Sequence, residues 1–384
     1  HTAQIAMEKL LMLKNCQGII NLSENEYKIK KLVNDRPIAS IPIAGRYRVI
    51  DFVLSNMVNA GIQNVGIFTD YNHRSLLDHT NNGKAWDLDR KIDGLFIFSP
   101  NFNPLTSSVP KGDIHNFYSN LDYIRLSKQE YVLISCSYMI ANIDFGAMYQ
   151  NHIKDGADIS IAYTSVHNAD TDFERCYLLN LGKTGRVVSV GVNMGHRKSA
   201  DVSMEVYLMK KELLLDIIMD SIAKGENFYL NDAINQCINT LKITAYNHKG
   251  YVKCINSIEK YFEANMDFLN TEISEEIFYS ERKIYTKVKD ESPTFYSKDA
   301  KIDNSLIANG CIIEGEIKNS VIFRRVHVEK GAKIENSIIM QNGLIKSNAN
   351  LQNLILDKGV VISENKELKG DKKVPLVIDK NRTI

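Results

Sequence analysis

The sequence predicts an α/β chain: a Rossmann-like, mainly parallel mixed sheet covered by helices, followed by a parallel β-helix of hexapeptide repeats. From about Cys16 to Leu269, short β-branched runs alternate with amphipathic stretches of helical period. After Leu269 the pattern changes: Asn304-Ser-Leu-Ile, Asn319-Ser-Val-Ile, Asn336-Ser-Ile-Ile and Asn353-Leu-Ile-Leu recur at offsets of 15, 17 and 17 residues. Within that repeat, aliphatics return every five or six residues, as at Ile302, Ile307, Ile312, Ile317, Ile322, Val328, Ile334, Ile339, Ile345 and Leu351. Three short strands per coil with one aliphatic each turned inward is the pattern a triangular β-helix needs. Short strands in a sandwich are the alternative, and they would leave the returning Asn-Ser register accidental.

Taken in order, Gln17–Leu22 reads as the first strand. Arg46–Ala60 reads as a helix, with Val49, Val53 and Met57 beside Ile50 and Leu54 on one stripe ended by Gly61. Asn64–Thr69 reads as a strand, Ile114–Arg125 as a helix, and Tyr131–Ser135 as the next strand. Asp158–Val166 alternates like a strand with one wetter face, and Ser203–Met209 and Lys242–Val252 add two more. The expected domains are 13–269 (α/β), 270–298 (linker), 299–362 (β-helix) and 363–384 (tail).

With 384 residues and 44% hydrophobic content, the chain can build sizeable cores, which excludes disorder as its main state. Lys and Arg number 47 against 46 Asp and Glu, so no global field recruits nucleic acid or an anionic membrane. The six cysteines are scattered without a CxxC pair, which argues for reduced thiols rather than a zinc site or a disulfide framework. No apolar run is long enough to span a bilayer, and the expectation is a cytoplasmic protein. Because the chain opens on His1, residues 1–6 are expected to be an added segment, with Met7 as the natural first residue.

Arg46-Tyr-Arg-Val-Ile-Asp-Phe-Val-Leu-Ser-Asn56, followed by Asn59-Ala-Gly-Ile62, resembles the KYRIIDFPLSN…NSGI segment of the ADP-glucose pyrophosphorylases, the glucose-1-phosphate adenylyltransferases. Ile255-Asn-Ser-Ile-Glu-Lys-Tyr-Phe-Glu-Ala-Asn-Met-Asp267 is similar to that family's VGTIEAYWEANMD, and the C-terminal repeat resembles its left-handed β-helix. The resemblance covers roughly Leu13 to Ile362. It implies a nucleotide-sugar pyrophosphorylase fold, whose catalytic members join ATP and glucose 1-phosphate into ADP-glucose and pyrophosphate for glycogen or starch synthesis.

That chemistry needs a backbone cradle for a triphosphate, a cation to screen it and carboxylates to hold Mg²⁺. Where the family has the glycine-rich GGxGxRLxPLT loop, this chain has Ser23-Glu-Asn-Glu-Tyr-Lys-Ile-Lys-Lys-Leu-Val33, with no glycine. Glu24 and Glu26 put negative charge where the triphosphate would sit, and Lys28 stands at the loop arginine's position, either as its remnant or as a solvated lysine. The resemblance implies a metal aspartate in LSGDH and a second in WRDVGT; Ser137 and Cys254 stand at those positions. A hydroxyl and a neutral thiol are poor ligands for Mg²⁺, and Cys254 also reads simply as a packing cysteine. GTADA is replaced by Gly112-Asp-Ile-His-Asn116, and the FxEKP lysine has no counterpart before Ser203-Met-Glu-Val-Tyr207.

The family's activator lysine is Ile38 here, yet Arg48 matches an arginine that members use near phosphorylated regulators. With Arg36 and Arg46 it is a candidate anion site; scattered surface arginines are the alternative. These substitutions imply a non-catalytic, regulatory subunit of glycogen synthesis, an allosteric pseudoenzyme that needs no cofactor of its own. Mg²⁺ is then expected only in a catalytic paralogue, with which the chain forms a mixed tetramer or beside which it forms a homodimer. The β-helix strip near Ile338–Ile355 is the candidate contact surface. Two other readings stay open. One is an active or weakly active adenylyltransferase with relocated ligands; the other is a β-helix acyltransferase using His327, the repeat region's one histidine.

Overall fold

Nine strands of the described residues form one mixed sheet. They are β1 (Cys16–Asn21), β2 (Asn64–Phe68), β3 (Gly94–Phe98), β4 (Tyr131–Ser135), β5 (Ile159–Val166), β6 (Tyr177–Leu181), β7 (Val187–Val192), β8 (Ala200–Lys210) and β9 (Ile243–Asn247). The computed structural model describes residues 13–24, 26–69, 73–99, 112–225 and 228–384, so His1–Ala6, Met7 and the loop's Asn25 lie outside them. The chain divides into two compact units, one of residues up to Glu24 with Phe52–Val252, the other of Asn25–Asp51 with Lys253–Ile384.

In the first unit the strands run in the order β7-β6-β8-β4-β1-β2-β3, with β5 joining β8 to β9. β4, β1, β2 and β3 are mutually parallel, whereas β8 runs antiparallel to β4 and to β5. The parallel strands β1, β2 and β4 read as continuous apolar runs because helices cover both faces. Ile19, Val132, Ile134, Ile161 and Met209 form the core with Leu214, Ile217 and Ile218 of the helix Lys211–Lys224. Those helical positions recur at three and four residues, and Gly225 in the left-handed region (φ 66°) ends the helix.

Several expectations shift. The helix expected over Arg46–Ala60 spans Ile50–Asn59, because Tyr47–Arg48 pairs antiparallel with Pro42–Ile43. The helix expected over Ile114–Arg125 breaks into Asp113–Ser119 and Leu121–Arg125 at Asn120, whose side-chain amide donates to the Asn116 carbonyl at 3.0 Å. The last strand stops at Asn247 rather than Val252.

The second unit carries the left-handed β-helix, three five-stranded parallel sheets among the described residues. Ile313, Ile317, Ile322, Val328, Ile334, Ile339, Ile345, Leu351 and Leu356 fill its interior. At one corner Asn304, Asn319, Asn336 and Asn353 all take positive φ, 39° to 56°, which asparagine tolerates better than other residues with a side chain. They stack as a ladder: Asn304 donates to Asn319 at 2.8 Å and Asn336 to Asn353 at 2.5 Å. The next position stacks likewise, with Ser305, Ser320 and Ser337 hydroxyls accepting from the following coils' backbone N–H groups at 3.1 Å. The recurring Asn-Ser pair is therefore the corner itself.

The coils extend beyond 299–362. Phe295–Tyr296 starts the first sheet, and Glu367–Lys369 and Leu376–Ile378 of the expected tail pair onto the other two. The expected linker also holds the helix Thr271–Phe278, capped by the Asn270 side chain. Nor is the strip near Ile338–Ile355 an open face: Ile338, Ile339, Leu354 and Ile355 are all fully buried. The segment holding Arg36 and Gly45 packs against the coils of its own unit. A side chain at Gly45 would meet Leu306 at 2.4 Å, and Arg36 reaches Asp357 at 2.6 Å.

Candidate functional site

In an open α/β sheet, ligands bind beyond the carboxyl ends of the parallel strands. Here that place is the end of β1 and β4, within the first unit. Ser137, just past β4, is 1% exposed and donates both its N–H (2.8 Å) and its hydroxyl (2.6 Å) to one carboxylate oxygen of Glu24. Asn21, the last residue of β1, donates its amide to Asp113 at 2.7 Å, and the Leu230 N–H donates to the other oxygen of Asp113 at 2.8 Å. Burial pushes the Asp113 carboxyl up to about 7, against those two donors. Gly112 before it takes φ 76°, and a side chain there would meet the Phe228 carbonyl at 2.0 Å, so only glycine delivers Asp113 to this spot.

A third carboxylate comes from β8. Glu205 sits where the pairing of β8 with β5 shifts register between Ser203 and Val206, and it takes φ 51°. It accepts from the Tyr138 hydroxyl, and burial raises its carboxyl above the usual range. The Tyr207 hydroxyl donates to Asn231 beside it. Carboxylates do converge here, but each is turned onto donors of its own chain. Among the described residues no three His, Cys, Asp or Glu side chains group so as to hold a metal ion. Ser137 offers hydrogens rather than an anionic oxygen, so the residues present do not fit Mg²⁺ at this position.

The second unit holds a charged corner of opposite sign. Burial and the neighbouring Arg48 and Arg36 pull the Lys358 ammonium down to about 7, with Asp357 opposing and Lys380 adding to the shift. Burial, then Arg324, Arg48, Arg325 and Lys287, lower Lys289. Burial and Arg46 lower Arg324, against Glu291 and Asp51. Arg324, Gln341 and Lys358 occupy one corner of successive coils, linked by Asn342 N–H to the Arg324 carbonyl at 3.2 Å and Gly359 N–H to the Gln341 carbonyl at 2.9 Å. The Gln341 side-chain oxygen between them is buried with no hydrogen-bond partner. Some of the cations are matched: Arg325 lies on Glu291 at 2.6 Å, and Arg36 on Asp357. Cations crowded at this density lower each other's pKa, and a bound anion relieves that cost.

Residues 30–271 match the nucleotidyl transferase family, and residues 291–374 match the GlmU-like C-terminal hexapeptide family. The chain is 37% identical over 318 residues to the glycogen biosynthesis protein GlgD of Bacillus subtilis, covering 83% of this chain and 82% of that one. It is 39% identical to GlgD of Geobacillus stearothermophilus over the same shares of each chain. A glucose-1-phosphate adenylyltransferase of Clostridium perfringens is 34% identical over 298 residues, 76% of either chain. The chain belongs to the glucose-1-phosphate adenylyltransferase family of nucleotidyl transferases.

The remaining candidates all lie in the second unit. Lys28 is exposed on a short 3₁₀ turn, Tyr27–Ile29, and belongs to the second unit. Cys254 is fully buried, and all six cysteines are free thiols. Arg46 is exposed with its guanidinium 5.4 Å from the Tyr47 ring, and Arg48 is half-buried with its N–H donated to Asp51 at 2.9 Å. Arg36 is buried, and its guanidinium is committed to Asp357 and to the Leu32 carbonyl at 2.8 Å. The structure thus brings Arg46 and Arg48 into a larger cluster with Lys289, Arg324 and Lys358, which the sequence did not single out. His327 faces outward on its coil, 3.1 Å from Glu314, while Val328 beside it fills the interior. No helix among the described residues is long and apolar enough to cross a membrane.

Proposed function

We propose that this chain acts in glycogen biosynthesis as a regulatory subunit of ADP-glucose pyrophosphorylase, without turnover of its own. It would act in the cytoplasm, in a complex with a catalytic paralogue. The observation that carries the reading is Ser137: its N–H and hydroxyl are spent on Glu24 at the strand end where the family resemblance implies a metal-binding aspartate. The relatives named for glycogen biosynthesis and for glucose-1-phosphate adenylyltransferase support the pathway. The cationic corner of Arg46, Arg48, Lys289, Arg324 and Lys358 supports a phosphorylated effector as its ligand.

A second reading has one observation in its favour. Asp113, Glu24 and Glu205 converge at the sheet end, so an adenylyltransferase using these relocated carboxylates is its rival. A coupled pyrophosphate assay separates the two. The purified chain alone, given ATP, glucose 1-phosphate and Mg²⁺, is expected to release no pyrophosphate above background. Mixed with the catalytic paralogue, it is expected to raise that partner's rate or change its effector response. Turnover by the isolated chain at a rate comparable to the paralogue's refutes the regulatory reading.

A further inference from the structure

Residues Cys136–Tyr138 run between two carboxylates of the chain's own. On one side Glu24 takes the N–H and hydroxyl of Ser137 at 2.8 and 2.6 Å. On the other, Glu205 takes the Tyr138 hydroxyl with its side chain and the Cys136 N–H with its backbone carbonyl, the latter at 3.3 Å. The second contact is made against local backbone preference. Glu205 holds φ 51°, a region that residues with a side chain rarely adopt, at an irregularity that re-aims one position of β8. Strain of this kind persists where the surroundings over-determine it, and it clusters at functional sites. Burial and Tyr138 together fix where the carboxylate goes: inward, to the strand end.

Carboxylate and phosphoryl oxygens accept from the same donors with similar geometry. An N–H and two hydroxyls on consecutive residues just past the end of a central parallel strand, whichever side each faces, are donors of the kind a phosphorylated ligand uses there. We infer that Glu24 and Glu205 are internal ligands: they occupy the donors of Ser137 and Tyr138 and set this site's specificity by excluding phosphorylated substrates. The inference rests on the regulatory reading and deepens it, since it names what closes the site. It extends beyond the missing metal aspartate, because restoring a ligand at Ser137 would leave both carboxylates in place.

The test compares two full-length proteins, both carrying Arg48→Ala to weaken the cationic corner of the second unit. One keeps Glu24 and Glu205; the other is Glu24→Ala/Glu205→Gly. Each is titrated calorimetrically with glucose 1-phosphate and, separately, with ATP and Mg²⁺, with a thermal melt to check folding. The doubly substituted protein is expected to bind at least one of the two ligands at least tenfold more tightly. Equal affinities in two folded proteins overturn the inference. Should the double variant melt without a transition, Glu24→Ala alone is the fallback, since Glu24 lies on a half-buried loop. It is expected to gain at least threefold, and no gain again overturns the inference. Pyrophosphate release by the chain with both glutamates in place would instead sink the regulatory reading, so the two failures are distinguishable.

Discussion

The end of the sheet and the cationic corner of the β-helix unit are both dense in charge, and they resolve it in opposite ways. At the sheet end every carboxylate meets a donor of its own chain: Glu24 on Ser137, Asp113 on Asn21 and Leu230, Glu205 on Tyr138. At the corner Lys289, Arg324 and Lys358 are held beside other cations, with Asp51, Glu291 and Asp357 as the interleaved acids. A site whose charges are satisfied internally has little to gain from a ligand. One whose like charges press on each other gains from any anion that fits. On the proposed reading the sheet end is the closed one of two candidate anion sites and the cationic corner the open one, and the following experiments can break that contrast.

The largest effect is expected at a corner cation that resembles the sheet end in being both buried and paired. Arg36 and Asp357 are both buried, at 6% and 8% side-chain exposure, with 2.6 Å between them. Arg36→Ala leaves a buried carboxylate uncompensated, which costs about 3–5 kcal/mol. Urea unfolding followed by circular dichroism would read this, and a loss below 1 kcal/mol would place Arg36 among the loosely held cations instead. Arg36→Met together with Asp357→Leu, which removes both charges, should recover most of the loss.

Asp113 tests the opposite pole. Its folded pKa is raised to about 7 from 3.8, so the protonated carboxyl is the form the fold favours. The stability it contributes is fully present below the unfolded value and is lost as pH rises through the folded one. That loss accrues at up to about 1.4 kcal/mol per pH unit across the window. Asp113→Asn should therefore flatten the decline in stability between about pH 4 and pH 7. An unchanged slope in denaturant midpoints across that range would mean that Asn21 and Leu230 hold the ionised form.

How much of this was legible beforehand depends on what kind of physics fixes each part. The β-helix was readable because each coil repeats the same demand: an inward aliphatic, and an asparagine where the corner turns to positive φ. β1, β2 and β4 were readable because buried parallel strands are apolar throughout. β3, Gly94-Leu-Phe-Ile-Phe98, carries that signal too but stands at the sheet edge, and β6 and β7 form a wetter antiparallel pair without clean alternation. Glu24 was suspect from sequence by its charge alone. Glu205 was invisible, because nothing in Ser203-Met-Glu-Val-Tyr207 announces a left-handed residue in mid-strand. Arg324 and Lys358 were missed because the coil stacks positions far apart in the chain and no local motif marks a corner, and Lys289 because it lies outside any strand, ahead of the first coil at Phe295.

Arg48 sharpens the comparison on the open side. It is the cation common to the neighbourhoods of Lys289 and Lys358. Arg48→Ala should weaken effector-dependent activation of the mixed complex about tenfold, a coupling of about 1.4 kcal/mol. Subunit assembly, followed by size-exclusion chromatography, should persist. Unchanged effector dose-response curves would remove the regulatory anion from this corner while leaving assembly standing.

The smallest effect is expected from Lys358, and it carries a definite sign. Its folded pKa is lowered to about 7 by burial and by Arg48 and Arg36, with Lys380 adding and Asp357 opposing. In the free protein much of it is therefore neutral at pH 8. An anion at the corner favours the protonated form and raises that pKa, so binding takes up a proton between about pH 7 and the ordinary lysine range. Affinity for inorganic phosphate, measured calorimetrically in two buffers of different ionisation heat, should tighten a few-fold from pH 9 to pH 7, with net proton uptake. The ligand's own charge works against this trend, because phosphate is more fully dianionic at pH 9. Lys358→Met should abolish the uptake and leave only that opposing trend. A wild-type affinity that weakens toward pH 7 would mean that Lys358 does not face the anion, and the open site would then consist of Arg46, Arg48, Lys289 and Arg324 alone.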